Sequence, residues 1–221
     1  MTDVLIPAGL LALSLLIALY PSHRILNRSS VWWSYGRILQ HHDVRWRAWR
    51  SSHHLIDFVR GWAALALGRL VLMILPPGWE LPSPDVGFLS LAAVGILGTF
   101  FQMRCPEREE GLQAPIAFTA GLMFGLLPPL IALSAVVFGL ASAFAFRALP
   151  VYFLFSGGVA GGLGIAFKQP KIAVGCSVLV AVTPLAIAFM RQQKFLIRLP
   201  KKALRERRIK GGASSPMREV G

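Results

Sequence analysis

Cysteine is scarce in this sequence, because only Cys105 and Cys176 occur and they lie in unrelated contexts. The chain therefore carries neither a disulfide framework nor the C-x-x-C spacing of a metal site. Acidic residues are scarce as well, since 10 Asp and Glu stand against 23 Lys and Arg. Hydrophobic residues make up 55% of the 221 positions, in runs that a soluble domain of this length could not bury. The composition predicts a polytopic membrane protein.

The basic residues lie between and after the apolar runs, where membrane proteins carry them in cytoplasmic loops. A nucleic-acid-binding protein needs a basic face on a soluble domain, and the sequence offers no such domain. Nucleic acid is therefore not expected as a partner. The first apolar run, Val4 to Tyr20, lacks the cationic start of a signal peptide, since Asp3 is its only early charge. We expect this run to be a retained membrane span.

Five apolar runs come close to the roughly 20 residues that an α-helix needs to cross a bilayer. A sixth run, residues 114–146, is too long for one span, and Pro128 and Pro129 lie near its middle. Paired prolines remove backbone donors and favour a turn, so this run is either one kinked helix or a hairpin of two. The five single runs are residues 4–20, 55–75, 86–103, 151–167 and 172–190.

Charge favours the hairpin. The segment 21–54 carries six arginines against Asp43, whereas the segment 76–85 carries only Glu80 and Asp85. The positive-inside rule places the first segment in the cytoplasm and the second outside. The amino terminus is then outside as well.

The end of the chain is strongly basic, with nine cations in residues 191–210 against Glu206. The same rule keeps this tail inside, so the chain crosses an odd number of times and the hairpin counts as two spans. The predicted fold class is an all-α polytopic transmembrane bundle of about seven spans. Its membrane domain covers residues 1–190, with a basic interfacial segment at 21–54, and a basic cytoplasmic tail covers 191–221.

The stretch "HHDVRWRAWRSSHH" combines arginines, tryptophans and histidine pairs within the basic segment. Aromatic residues at three- and four-residue spacing, such as Trp46 and Trp49, predict a helix over residues 31–54 that lies on the membrane. The planar guanidinium group of arginine can donate two hydrogen bonds to one phosphate group. Arg45, Arg47 and Arg50 are therefore predicted to bind lipid headgroups or a phosphorylated substrate. The alternative is a solvated basic loop anchored by tryptophan.

Metal binding is not expected in this stretch. His42 and His53 share a helix face, but eleven residues of helix separate them by about 16 Å along the axis. One metal ion cannot bridge that distance unless the segment bends.

The second span begins "LIDFVRGWAALALGR" and contains ionisable residues at positions where apolar residues would cost less free energy to place in a membrane. Asp57 and Arg60 are three residues apart, so they can pair on one helix face. Ionisable groups within spans are candidates for substrate binding, and a structural ion pair is the equally weighted alternative. Small residues continue beside the pair, and "SGGVAGGLG" at Ser156 to Gly164 predicts close helix packing.

"DFVRGW" at Asp57 to Trp62 is similar to a D-x-x-K-G start of a helix. "APIAFTAGLMFGLLPPLIAL" is similar to a small-residue helix with a mid-segment proline, and "RQQKFLIRLPKKALRERR" is a basic ending with an N-x-x-R-L-like element. Together with the seven-span plan, these three patterns resemble one known family, the bacterial glycerol-3-phosphate acyltransferases that use acyl phosphate as donor.

The chain departs from this family at two glycine-rich phosphate motifs. In place of the S-G-N-x-G-A-T-N element stands "NRSSVWWSYGRILQHHDV", and the G-G-K-G element falls near "EEGLQAP", which has no lysine. The resemblance therefore describes a divergent member.

The resemblance implies an integral protein of the bacterial inner membrane that acts in phospholipid biosynthesis without a cofactor. It would move an acyl group from a phosphorylated or thioester donor to a small phosphorylated acceptor. Arg45, Arg47 and Arg50 would hold phosphate, and His53 or His54 would act as general base, since imidazole titrates near neutral pH.

The alternative function is a non-catalytic membrane component that binds anionic lipid or partner membrane proteins through its basic elements. A transporter is not expected, because the central spans contain few ionisable groups.

Overall fold

The computed structural model describes residues 2–20, 30–34, 38, 52–75, 83–104 and 111–200. These residues form a helical bundle with a small β-sheet at one end. Its seven helices and three strands follow in the order α1 (Thr2–Leu19), β1 (Ser30–Ser34), α2 (Ser52–Met73), α3 (Pro84–Met103), β2 (Gly111–Gln113), α4 (Ile116–Leu126), α5 (Pro129–Ala145), α6 (Leu149–Ala166), α7 (Lys171–Arg191) and β3 (Lys194–Pro200).

The helices begin and end within about three residues of the predicted apolar runs. In the long sixth run, α4 ends at Leu126 and α5 begins at Pro129. Pro128 is the N-cap of α5 and has an extended backbone, with φ −54° and ψ 143°. The predicted hairpin of two helices is therefore confirmed, and the single kinked helix is excluded.

Neighbouring helices alternate in direction. Gly157 of α6 lies beside Val182 of α7, and Gly164 lies beside Val174, so these two helices are antiparallel. The same alternation holds along the bundle, and the odd-numbered helices all run toward the sheet while the even-numbered helices run away from it. We call these two ends of the bundle the sheet end and the far end.

The sheet has the strand order β1-β3-β2 and joins segments that are distant in sequence. β1 pairs with β3 antiparallel, from Ser30 opposite Pro200 to Ser34 opposite Leu196. β2 pairs with β3 in parallel, and Gly111 lies opposite Lys194. β1 precedes α2, β2 precedes α4 and β3 follows α7, so the sheet joins two interhelix connections and the segment after α7 at one end of the bundle.

The sheet corrects two predictions. The chain is mostly helical but not all-α, because residues 194–200 of the predicted tail form the central strand. The predicted surface helix over residues 31–54 is wrong at its start, where residues 30–34 form β1, and residues 52–54 already belong to α2. The residues between them, apart from Ile38, lie outside the described part. β1 contains β-branched and aromatic residues that favour a pleated strand once a partner strand is present.

Large apolar side chains point outward around the bundle. Leu130 is 67% exposed, Ile165 72% and Phe189 83%. Soluble monomers rarely expose apolar surface on this scale. Among the described residues, α3, α6 and α7 are long and apolar enough to cross a membrane, and α1, α4 and α5 contain shorter apolar stretches.

Glycines let α2 and α4 approach each other with backbone in contact. A Cβ atom on Gly121 would lie 2.8 Å from the backbone nitrogen of Trp62, and one on Gly61 would lie 3.1 Å from that of Leu122. One turn further along, a Cβ atom on Gly125 would lie 2.5 Å from the Leu65 Cβ. Helices surrounded by lipid gain no hydrophobic free energy when they associate. Small residues at such crossings let the helices pack closely, so that van der Waals contacts hold them together instead. Gly61, the small residue directly after Arg60, therefore lies at this close crossing.

We expect Gly121→Ala to lower the free energy of unfolding by about 1–3 kcal/mol, because the new methyl group meets backbone atoms that cannot move alone. The matched control is Gly158→Ala, where a Cβ atom meets nothing within 4 Å. Thermal unfolding of the purified chain in detergent measures both. Equal unfolding temperatures for the two variants would contradict the close crossing.

Candidate functional site

The polar centre of the bundle is Arg60, which lies on α2 near the sheet end. Its guanidinium is 3.1 Å from Asp57 Oδ1 and donates a 3.0 Å hydrogen bond to Gln102 Oε1 of α3. It also donates to the carbonyl oxygens of Ile17, at 3.0 Å, and Tyr20. The side chain thus joins α1, α2 and α3.

Helix geometry explains why Asp57 and Arg60 meet. They are three residues apart on α2 and share its buried face, where Asp57 is 5% and Arg60 7% exposed. The Phe118 ring of α4 covers the guanidinium at 5.6 Å. Four of the five guanidinium N–H groups find acceptors within the protein, and only the Nε–H has none among the described residues. This arrangement is typical of a structural ion pair, the alternative to substrate binding by Asp57 and Arg60.

The histidines at the start of α2 differ in burial. His53 is 4% exposed and lies one helical turn before Asp57 on the same face, whereas His54 is half-buried. The predicted phosphate-binding residues Arg45, Arg47 and Arg50 lie outside the described residues. The prediction for these arginines and for a histidine base stays a prediction.

A second site lies at the sheet end, where a groove of about 530 Å³ opens between the bundle and the sheet. We call it the basic groove. Two cationic side chains, Arg147 and Lys194, line it, and no acidic residue does so among the described residues. Its remaining walls come from β1, the start of α6, the end of α7 and the start of β3: Ser34, Ala148, Leu149, Pro150, Leu185, Ala188, Phe189, Gln192, Gln193 and Phe195.

Unusual backbone conformations shape the basic groove. Arg147 has φ 53° and Gln192 has φ 51°, in the left-handed region that favours glycine. They are two of the three non-glycine residues with positive φ in the described chain, and each follows the end of a helix. A left-handed residue directly after a helix is a common way for a helix to end, and here the backbone N–H of Ala148 donates to Ala143 and that of Gln193 to Ala188.

The groove is both cationic and apolar. Leu149, Leu185 and Phe189 give it an apolar wall, and Phe189 is 83% exposed. The exposed Arg147 and Lys194 of the groove attract anions, and arginine forms paired hydrogen bonds with phosphate. The groove therefore suits an amphiphile that carries phosphate on a hydrocarbon chain.

Sequence patterns did not point to this groove. Its residues come from the α5–α6 turn, from the end of α7 and from two strands, so no short motif holds them together. The basic ending of the chain was the only usable signal, because Lys194 belongs to it. In the described residues, no three His, Cys, Asp or Glu side chains lie together as a metal site requires.

Comparison with family models, with curated proteins and with solved structures finds no match to this chain. These comparisons therefore assign no family and no function to the chain.

We expect Arg60→Gln and Asp57→Asn each to lower the free energy of unfolding by about 3–5 kcal/mol, because each leaves a buried group without its charged partner. Arg104→Gln, which removes an exposed arginine from the same end, is the matched control. Thermal unfolding in detergent measures the effect. If Arg60→Gln kept full stability but lost binding of a phosphorylated ligand, the substrate-binding role would be correct instead.

Proposed function

We propose that this chain is a multi-pass protein of the bacterial inner membrane that binds a phosphorylated amphiphile in the basic groove. We propose further that it transfers the acyl group of that amphiphile to a small phosphorylated acceptor. The observation that carries the proposal is the pairing of Arg147 and Lys194 with an apolar wall in one groove. The resemblance to acyl-phosphate-dependent glycerol-3-phosphate acyltransferases supplies the reaction class.

The alternating helix directions support seven spans. Each helix reverses the direction of the one before it, and every described helix has large exposed apolar side chains except the short α4. The sheet end is the cytoplasmic end in this proposal, because the arginine-rich segment 21–54 and the basic residues after α7 connect there. The amino-terminal end of α1 is then outside, and the carboxyl-terminal tail is inside.

The proposed reaction forms an ester bond between an acceptor hydroxyl oxygen and the donor carbonyl carbon. The bond from that carbon to the phosphate oxygen breaks, phosphate leaves with the electron pair, and the hydroxyl proton passes to a base. Arg147 and Lys194 hold the donor phosphate and stabilise the charge that develops on it as it leaves. His53 and His54 stay the predicted candidates for the base.

A non-catalytic function is the second candidate, and one observation favours it. Among the described residues that line the basic groove, none is a histidine or a carboxylate. In this case the groove and the arginines of residues 45–50 bind anionic lipid or a partner membrane complex without chemistry. Both candidate functions predict that the basic groove binds an anionic group, but only the acyltransferase predicts turnover of an acyl donor.

The test is an acyl-transfer assay in proteoliposomes, with a long-chain acyl phosphate as donor and glycerol 3-phosphate as acceptor. We expect the double variant Arg147→Gln/Lys194→Gln to lose about 100-fold in kcat/KM, because two charge-assisted contacts to phosphate are removed. Lys168→Gln, at the far end, is the matched control for lost charge. His53→Gln and His54→Gln test the base.

Three outcomes separate the candidates. Turnover that depends on the groove cations establishes the acyltransferase. Binding of acyl phosphate that depends on the cations, with no turnover by the unaltered chain, establishes the non-catalytic component. Binding and turnover that survive in the double variant would exclude the basic groove from either function.

The proposed orientation predicts different labelling of two single cysteines in a variant without Cys105 and Cys176. A cysteine replacing Arg147 should react with a membrane-impermeant maleimide only after the cells are opened. A cysteine replacing Lys168, at the α6–α7 turn, should react in intact spheroplasts. The reverse pattern would invert the topology, and labelling of both from outside would exclude seven spans.

A further inference from the structure

A second cavity lies at the far end of the bundle, opposite the basic groove. Its volume is about 490 Å³, and it lies between the end of α2 and the start of α3. This volume is within the range of about 300–1,000 Å³ that is usual for small-molecule sites. Leu72, Phe88 and Leu91 give it apolar walls, and Arg69 is the one charged residue among its described lining residues.

Arg69 makes few contacts for an arginine in an apolar helix. Its Nη1 donates a 3.1 Å hydrogen bond to the carbonyl oxygen of Gly125, and its guanidinium lies 5.9 Å from the centre of the Phe88 ring. No carboxylate in the described part of the chain pairs with it. Most of its N–H groups thus have no protein acceptor there, although a cation in a span is costly without one.

The position of Arg69 suits a headgroup. It is four residues from the end of α2, which is about 6 Å along the helix axis. Across a bilayer-spanning bundle, this depth is close to the boundary between acyl chains and headgroups. The cavity reaches the apolar outer surface of the bundle, because Met73 lines the cavity and is itself 78% exposed.

We infer that the far-end cavity binds one anionic phospholipid, with its phosphate on the free N–H groups of Arg69 and an acyl chain along Leu72, Phe88 and Leu91. The site belongs to the leaflet opposite the basic groove. The inference rests on the membrane placement in the proposed function and is independent of acyl transfer. Charge complementarity and the continuity of the cavity with the apolar surface select a lipid as the occupant.

The test is native mass spectrometry of the full chain in detergent, with phosphatidylglycerol and with diacylglycerol of the same acyl chains. The two lipids differ in the phosphate headgroup. The Arg147→Gln/Lys194→Gln background removes the basic groove from the measurement, so the result does not depend on the proposed reaction. In this background Arg69→Gln should weaken phosphatidylglycerol binding about tenfold and leave diacylglycerol binding unchanged.

Two further variants and one control make the result specific. Arg69→Lys should bind with intermediate affinity, because it keeps the charge and loses the planar fork. Ser83→Trp should block the cavity with Arg69 intact, and it removes no capping hydrogen bond because the side chain of the N-cap residue Ser83 makes none to α3. Lys171→Gln removes a cation from the same end outside the cavity and should have no effect.

Several results would overturn the inference. Equal weakening by Arg69→Gln and Lys171→Gln would mean general surface attraction. Unchanged phosphatidylglycerol binding in Ser83→Trp would place the lipid outside the cavity, and this variant decides the question even if Arg69→Gln fails to fold. Displacement of the lipid by glycerol phosphate at an equal concentration would mean that a soluble anion is the occupant.

Discussion

The buried guanidinium of Arg60 is the interaction on which the sheet end of the bundle depends. An unpaired cation among apolar helices costs several kcal/mol, and Arg60 avoids this cost through acceptors on three helices. Two of these acceptors are the carbonyl oxygens of Ile17 and Tyr20, at the end of α1, where the last backbone carbonyls of a helix have no internal partner. The arginine and the end of α1 therefore satisfy each other.

The close crossing of α2 and α4 completes this arrangement. Gly61 follows Arg60 directly and lets α4 approach until backbone meets backbone. That approach brings the Phe118 ring over the guanidinium at 5.6 Å and closes the cluster from the side of α4. A larger residue at Gly61 would move α4 outward and expose Arg60. The close packing of α2 against α4 and the burial of the hydrogen-bonded Arg60 thus depend on each other at this end of the molecule.

The helices could be predicted from the sequence, whereas the sheet could not. Helix limits depend on local signals, such as the prolines at 128–129 and the change from apolar to charged residues, so the predicted runs match the observed helices closely. The strands are short, and β3 pairs with partners far away in sequence. Such long-range strand pairing depends on how the helices place the segments that contain the strands next to each other. The amino-acid composition of a strand does not predict it.

In the candidate sites, too, the sequence predicts local contacts and misses contacts between distant segments. The spacing of Asp57 and Arg60 predicted their pairing, because residues three apart on a helix are neighbours. It could not supply Gln102 or the α1 carbonyls, which depend on the tertiary packing of three helices. The basic groove was missed because its two cations, Arg147 and Lys194, come from a helix turn and a strand. No local sequence pattern predicts the left-handed backbone conformation at Arg147.

Three arginines of the bundle differ in how many protein acceptors they have. Arg60 uses four of its N–H groups within the described protein, Arg69 uses one, and Arg147 has no hydrogen bond to the described residues. A guanidinium whose donors are already used cannot bind phosphate without breaking bonds that hold the fold. One with unused donors beside a cavity can bind phosphate at no such cost. The number of internal acceptors, more than the presence of a cation in an apolar segment, therefore distinguishes the arginine that builds this bundle from those that can bind a ligand.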